Sequence, residues 1–218
     1  GASNQSGCGS CGDVYYRIVL TQREVVYLDT YGSGYDTQVG IATGATGNTA
    51  CNDDSCGSLQ SQLVQTLAAG TYFVVVGGFG GGAGAFTLHC QHLPAANGTV
   101  TTLAQGANLN VSGTTSGTGV VNVCGSGPET MYFYTTCPSY AGGAFSFTTC
   151  PNGSTSSASF DTQLSFVQGN GGTTCVDDSC GLQTTITGTA TAGAALRAFY
   201  VDGFGGSAGT YNVRYTVP

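Results

Sequence analysis

An acidic segment flanked by cysteines occurs twice in this chain, in the same order and with nearly the same spacing. The matching segments are Tyr35-Asp36-Thr37-Gln38 with Cys51-Asn52-Asp53-Asp54-Ser55-Cys56, then Gly78-Phe79-Gly80-Gly81, and Phe160-Asp161-Thr162-Gln163 with Cys175-Val176-Asp177-Asp178-Ser179-Cys180, then Gly203-Phe204-Gly205-Gly206. Such self-similarity is typical of a duplicated structural unit. The sequence therefore predicts two copies of one domain, residues 1–94 and 95–218, with the boundary beside Pro94.

Short runs of β-branched and aromatic residues, bounded by Gly, Asn and Asp clusters, predict strands in both copies. The predicted strands are Val14 to Leu20, Glu24 to Leu28, Tyr72 to Val76 and Ala85 to Leu88, then Met131 to Thr136, Ala144 to Thr149, Gln163 to Val167, Ala198 to Val201 and Tyr211 to Val217. Many short strands with glycine-rich turns are typical of a β-sandwich. The predicted fold class is all-β, with two tandem sandwich domains.

One stretch of the first copy has the spacing of a helix. Leu59, Leu63 and Leu67 lie four residues apart, as on one helical face. The corresponding segment of the second copy, Leu182 to Ala192, is rich in threonine and contains Gly188, which disfavours a helix. Because two copies of one domain share a fold, both segments are interpreted as strands.

The second copy is longer than the first at its amino-terminal side. Residues 99–123 have no counterpart in the first copy. We expect this extension either to add an edge strand or to cover the junction between the copies.

The charge and cysteine content exclude several classes of protein. The chain has four arginines, no lysine and eleven acids, a net charge of −7. Without a basic cluster, no nucleic-acid partner is predicted. No apolar run approaches the ~20 residues of a membrane span, so no membrane insertion is predicted. Ten cysteines indicate an oxidising compartment, so a secreted or cell-surface location.

Six of the eleven acids lie at matching positions in the two copies. They are Asp36, Asp53, Asp54, Asp161, Asp177 and Asp178. Carboxylates gathered in a loop repel one another unless a cation neutralises them, and Ca²⁺ accepts six to eight oxygen ligands at irregular sites. These residues are therefore predicted metal ligands, with calcium as the ion. The alternative is that they are ordinary turn residues that accept backbone N–H groups.

The cysteines predict a framework of disulfides. The pairs Cys51–Cys56 and Cys175–Cys180 recur in both copies and are predicted to close the acidic loops. Cys137 and Cys150 bracket two predicted strands, so a cross-strand bridge is predicted there. Four cysteines allow three pairings, within one molecule or between molecules. Those four are Cys8, Cys11, Cys90 and Cys124.

Five motifs follow one another in fixed order: Asp36-Thr37, Asn52-Asp53-Asp54, Leu67 to Val76, Gly78 to Gly81 and Ala85 to Leu88. Together they resemble the bacterial pre-peptidase C-terminal (PPC) domain family. The cysteine-rich form is similar to modules of myxobacterial surface and secreted proteins. The match covers most of residues 8–92 and, more loosely, 124–217. It implies a jelly-roll-like sandwich, no catalysis by the domain and frequent calcium binding. The second copy departs at Val176, which weakens any ligand role there.

Motifs of catalysis are absent from the sequence. Neither His-Glu-x-x-His nor Gly-x-Ser-x-Gly occurs, and the only two histidines, His89 and His92, are predicted to face solvent from opposite sides of a strand. The favoured function is a non-catalytic structural or adhesive protein that associates with itself, as a surface polymer or filament. The alternative is a carbohydrate- or protein-binding accessory module of a secreted hydrolase. Sugar-stacking candidates are Tyr15, Tyr16, Tyr31, Tyr132, Tyr134 and Tyr140.

Overall fold

The computed structural model describes residues 13–44, 48–121, 123–153, 155–169 and 172–218. The chain divides into two compact units, Gly1–Pro94 (unit 1) and Ala95–Pro218 (unit 2). The regular structure is almost entirely β-strand, and the predicted all-β, disulfide-stabilised sandwich class is confirmed. In the part of the chain that the structure describes, no helix has the length and apolar character needed to cross a membrane.

The described residues of unit 1 form seven strands in two antiparallel sheets. They are β1 Val14–Leu20, β2 Glu24–Asp29, β3 Thr37–Ala42, β4 Asn48–Asn52, β5 Gln62–Leu67, β6 Gly70–Gly78 and β7 His89–Pro94. One sheet has the order β1-β6-β3-β4 and the other β5-β2-β7. Val26 and Leu28 of the second sheet share a buried cluster with Ile41 and Val74 of the first. Apolar side chains on alternate positions of both sheets therefore form one core.

Unit 2 repeats this plan with additional strands. Its strands are β8 Val100–Thr102, β9 Gly106–Thr114, β10 Thr130–Thr136, β11 Gly143–Thr148, β12 Ser157–Ala158, β13 Thr162–Gln168, β14 Thr173–Asp177, β15 Thr185–Ala190, β16 Ala195–Gly203 and β17 Thr210–Val217. The sheets have the orders β14-β13-β16-β10-β8 and β12-β17-β11-β15, and β9 also pairs with β17. Without β8, β9 and β12, both orders match those of unit 1, as the repeat predicts.

The leucine-rich stretch is a strand, as predicted by comparing the copies. Its residues 62–67 form β5, and the corresponding residues 185–190 form β15. β5 pairs with β2 along its whole length, and β15 pairs with β11 in the same way. Pairing within a sheet therefore determines the conformation of this segment, and the four-residue spacing of the leucines does not.

The predicted strand Ala85 to Leu88 is wrong. This stretch lies outside the ladders, and the strand β7 begins only at His89. Counting from the shared Gly-Phe-Gly-Gly loop, the stretch corresponds to the first residues of β17. In unit 2, Thr210–Asn212 pairs with β9 and β12. The described part of unit 1 has no counterpart of either strand, so the same residues lack a ladder.

The extension of the second copy adds edge strands, one of its two expected roles. β8 pairs in parallel with β10, and β9 pairs antiparallel with β17. Glu129 fixes the chain that follows, because its carboxylate accepts the N–H groups of Val120 at 3.0 Å and Val121 at 2.7 Å. Beside it, Asp202 accepts the N–H of Gly203 at 2.6 Å. The buried carboxylate of Glu129 thus holds the end of the extension through backbone donors.

We expect stability to depend on the protonation of Asp202. Burial raises the pKa of this carboxyl from 3.8 to about 6, against the lowering effect of nearby backbone N–H groups. The folded state therefore binds the proton more tightly than the unfolded chain. The tighter proton binding stabilises the folded state by about 3 kcal/mol below the unfolded pKa. This stabilisation is lost as the pH rises through the folded pKa.

Asp202→Asn should abolish this contribution. Urea unfolding from pH 4 to pH 7.5 should show the variant gaining stability relative to the parent as the pH rises through 6. A difference between parent and variant that stays constant with pH would contradict the assignment.

Candidate metal sites

The predicted acids of the first copy meet at one end of the β3–β4 pair. Asp36 immediately precedes β3, and Asp53 and Asp54 immediately follow β4. Because the strands are antiparallel, with Val39 opposite Asn52, the start of β3 and the end of β4 lie together. One carboxylate oxygen from each of the three acids lies within 4.8 Å of the other two.

The second copy builds the same arrangement from the equivalent strands. Asp161 precedes β13, Asp177 is the last residue of β14, and Asp178 follows it. One ligand oxygen of each again lies within 4.8 Å of the other two. In both clusters two acids are half-buried and the third is exposed. The six predicted ligands therefore form two clusters of three, as the repeat requires.

The carboxylates are poorly satisfied by the protein itself. One oxygen of each half-buried acid is shielded from solvent and has no hydrogen-bond partner among the described residues; the four are Asp36, Asp53, Asp161 and Asp177. Burial, and then the neighbouring aspartates, raise the pKa of Asp36. The pKa of Asp177 is raised for the same two reasons in the same order. Such oxygens lower their free energy by accepting a cation or a proton.

A buried hydroxyl network, which the sequence reasoning missed, supports the first cluster. Thr30 and Thr37 share a hydrogen bond of 2.6 Å between their hydroxyls. The Ser61 hydroxyl lies within hydrogen-bond distance of two carbonyls, that of Thr37 at 2.5 Å and that of Asp53, and shares its single hydrogen between them. The Thr30 hydroxyl also accepts the N–H of Ser61 at 2.9 Å. All three residues are completely buried, so they fix the backbone on which Asp36 and Asp53 stand.

The second cluster has the same support. Thr149 and Thr162 share a hydroxyl bond of 2.7 Å, and Thr184 donates to the carbonyl of Thr162. One sequence signal could have revealed these hydroxyl networks. Ser or Thr recurs at three matching positions of the two copies, before and within the repeated segments. Threonine in a strand-rich chain is read first as a strand former, which conceals that signal.

Two exposed apolar residues lie next to each acidic cluster. In unit 1 the Asp36 carbonyl accepts the N–H of Phe79, and the N–H of Thr37 donates to the Leu59 carbonyl. Leu59 and Phe79 are more than half exposed, and their counterparts Leu182 and Phe204 are equally exposed in unit 2. Two large apolar side chains beside an acidic cluster, repeated in both units, suit contact with another macromolecule.

The loop that carries Phe79 depends on glycine. A Cβ atom at Gly78 would lie 1.9 Å from the carbonyl oxygen of Gly82, and one at Gly203 would lie 1.7 Å from that of Ser207. No side chain fits at either position. Backbone packing therefore explains the first glycine of the shared Gly-Phe-Gly-Gly motif, and the positive φ angles of the next two explain theirs.

Two predicted disulfide pairings are wrong. Cys175 is bonded to Cys124, and Cys180 to Cys150, with Cα–Cα distances of 5.8 and 5.9 Å. The acidic loop of unit 2 is therefore tied to two other segments. The predicted Cys137–Cys150 bridge does not form, because Cys150 is bonded to Cys180.

The remaining six cysteines divide into three groups. Cys51, Cys56 and Cys137 are disulfide-bonded, and the pairing of Cys51 with Cys56 stays a prediction. Cys90 is a free, exposed thiol. Cys8 and Cys11 lie outside the described residues.

The two histidines take part in contacts that their spacing did not reveal. Nδ1 of His89 lies 2.7 Å from Asp29, and Nδ1 of His92 lies 2.5 Å from Glu24. Both acids are buried on β2, and both imidazoles are more than half exposed on β7. The histidines thus satisfy buried carboxylates at the surface of the β2–β7 pair.

The copies differ at Asn52, which Val176 replaces in the second copy, and the role of Asn52 is to brace the loop. The Asn52 side-chain oxygen accepts the Ser55 hydroxyl at 2.9 Å and the N–H of Gln62 at 3.4 Å. Val176, its counterpart, is part of β14, and there Ser179 donates to the Thr185 carbonyl. The substitution changes how the loop is braced and leaves the three acids in place.

Half of the tyrosines considered for sugar stacking are inaccessible. Tyr31, Tyr132 and Tyr134 are buried. Tyr15 and Tyr16 are exposed on β1, but adjacent residues of a strand point to opposite faces. They therefore do not form one stacking platform.

Comparisons with known proteins assign no family. Neither a scan of protein-family models nor a search of curated proteins finds a match. Among solved structures, the CUB1-EGF-CUB2 domain of human MASP-1/3 is 10% identical over 99% of this chain and 98% of that chain, with a TM-score of 0.26. The CUB1-EGF-CUB2 domains of rat MASP-1 are 9% identical over 99% and 96%, also with a TM-score of 0.26. Similarity at this level supports no inference about the chain.

Proposed function

We propose that this chain is a non-catalytic, extracellular structural or adhesive protein whose two sandwiches bind calcium and associate with further copies. The observation that carries the proposal is the pair of matching acidic clusters in a chain with little other charge. Four shielded, unpartnered carboxylate oxygens, two per cluster, leave open positions for a hard cation. Disulfides suit an oxidising compartment. The resemblance to the PPC family agrees with this proposal and stays a prediction.

Self-association has its own support on the surface. The chain has no lysine and only four arginines, so few like charges oppose close packing of identical molecules. Exposed apolar side chains border each acidic cluster, and strand edges are open in the described part of unit 1. Both features favour contacts between proteins.

Sedimentation velocity over a concentration series, with negative-stain electron microscopy of the same samples, tests the association. In calcium-containing buffer we expect the mean mass to rise with concentration and ordered assemblies to be visible. A protein that remains monomeric at its highest soluble concentration, with and without calcium, contradicts the proposal.

A further inference from the structure

The two units differ most along one side of the sandwich. In unit 2, β8 pairs with the outer edge of β10, and β9 pairs with the outer edge of β17. The counterparts of β10 and β17 in unit 1 are β1 and β7. Each of these is the last strand of its sheet among residues 13–44 and 48–94. In the described part of unit 1, both layers thus end in open edges on the same side. We call this side the open side.

Burial shows the same contrast. Tyr16 of β1 is 44% exposed, whereas its counterpart Tyr132 of β10 is 2% exposed. Val19 of β1 is 56% exposed. A cavity of about 260 Å³ opens between β1 and β7; it is lined by Ile18, Val19, Leu20, Val26, Cys90 and His92. The apolar side chains of Ile18 and Val19 are therefore accessible on this side, beside the buried core residue Val26.

In unit 2 the added segment closes that side. Leu103 is buried in the core, and Leu109 and Val111 of β9 pack against it. The chain thus contains strands that cover these edges in one of its two sandwiches. β9 is nine residues long and ends its own sheet, so its outer edge is open among the described residues.

The strands on these sides carry little charge. β1 contains one charged residue, Arg17, and β8 and β9 contain none. The two histidines of β7 already contact Asp29 and Glu24. Natural proteins usually protect exposed edges with charged side chains, lysine above all. These edges are thus suited to pairing with another strand.

We propose that the open side of unit 1 binds the β8–β9 side of unit 2 from a second copy of this chain. The inference rests on the self-association proposed above and names its surfaces. β9 of one molecule pairs with β7 of the next, and both layers continue from one molecule into the other. The two surfaces differ from each other, so the contact is heterologous and each added copy presents a free surface again. The product is an open chain of molecules.

Lysine substitutions on the two edges test this arrangement. Val19→Lys charges β1, and Ser112→Lys charges β9; both side chains are exposed. We expect each variant to weaken association in sedimentation by roughly ten-fold or more. Thr66→Lys is the control, because it charges β5, an exposed edge on the other side of unit 1. It should associate like the parent, and thermal unfolding should show all three variants folded.

Mixing the two edge variants separates this contact from other modes of assembly. Val19→Lys retains a normal β9, and Ser112→Lys retains a normal β1 and β7. An equimolar mixture should therefore form one-to-one dimers that grow no further. If the parent assembles but neither edge variant weakens it, or Thr66→Lys weakens it equally, the named surfaces are wrong while the proposed function stands. A parent that never assembles overturns both.

Discussion

Replacing Cys124 and Cys175 together by serine should lower the free energy of unfolding of unit 2 by about 4 kcal/mol. The bond closes a loop with a sequence separation of 51 residues, and the chain entropy of the unfolded state rises when such a loop is released. The Cys150→Ser, Cys180→Ser pair opens a loop with a separation of 30 and should cost nearly as much, again about 4 kcal/mol. Urea unfolding of the parent and both double variants measures these differences.

Cys90→Ser is the matched control for these experiments. The thiol is free and exposed, so its replacement should leave the free energy of unfolding unchanged. Non-reducing peptide mapping gives an independent readout. A peptide that links Cys175 to Cys180 would contradict the pairing in the structure, whatever the effect on stability.

Calcium should stabilise both units. An ion that binds only the folded state adds about 2.7 kcal/mol when its free concentration is 100 times the dissociation constant. For a unit of this size that corresponds to a shift in Tm on the order of 10 to 20 °C. Thermal unfolding with excess calcium and with a chelator measures the shift. Equal Tm values under both conditions, with no bound metal by elemental analysis, contradict the calcium sites.

Variants assign the effect to each cluster. Asp36→Asn with Asp53→Asn should remove the calcium-dependent shift of unit 1, and Asp161→Asn with Asp177→Asn should remove that of unit 2. Asp202→Asn is the control, because this acid lies outside both clusters and should leave the calcium response intact. Since the pKa values of Asp36 and Asp177 are raised, protons compete with the ion, and affinity should fall at acidic pH.

Comparison between the copies made the shared all-β fold and the acidic clusters predictable. The strand interpretation of Leu59 to Leu67 depended on Gly188 in the other copy. Asp36 and Asp53 could be grouped because acids recurred at matching positions. When both copies share one fold, acids at matching positions lie at the same end of the paired strands in each copy.

Features that depend on partners distant in sequence were not predictable in the same way. The Ala85 to Leu88 stretch has the composition of a strand but lacks the neighbouring strands that pair its counterpart. Cys175 and Cys180 are close in sequence, yet their partners approach only when the sheets of unit 2 assemble. The contacts of His89 and His92 with buried acids likewise require the β2–β7 register.

The buried hydroxyl network has a mechanical consequence. Thr30 follows β2 and Ser61 precedes β5, both in one layer, whereas Thr37 begins β3 in the other. Their hydrogen bonds join the two layers at the end that carries the acidic cluster. A load applied to the loop at Asp53 is therefore shared between both layers, because the Ser61 hydroxyl holds the carbonyl of that residue. In unit 2 the hydroxyls of Thr149, Thr162 and Thr184 join the two layers in the same way, so the load is shared at the matching end of that sandwich.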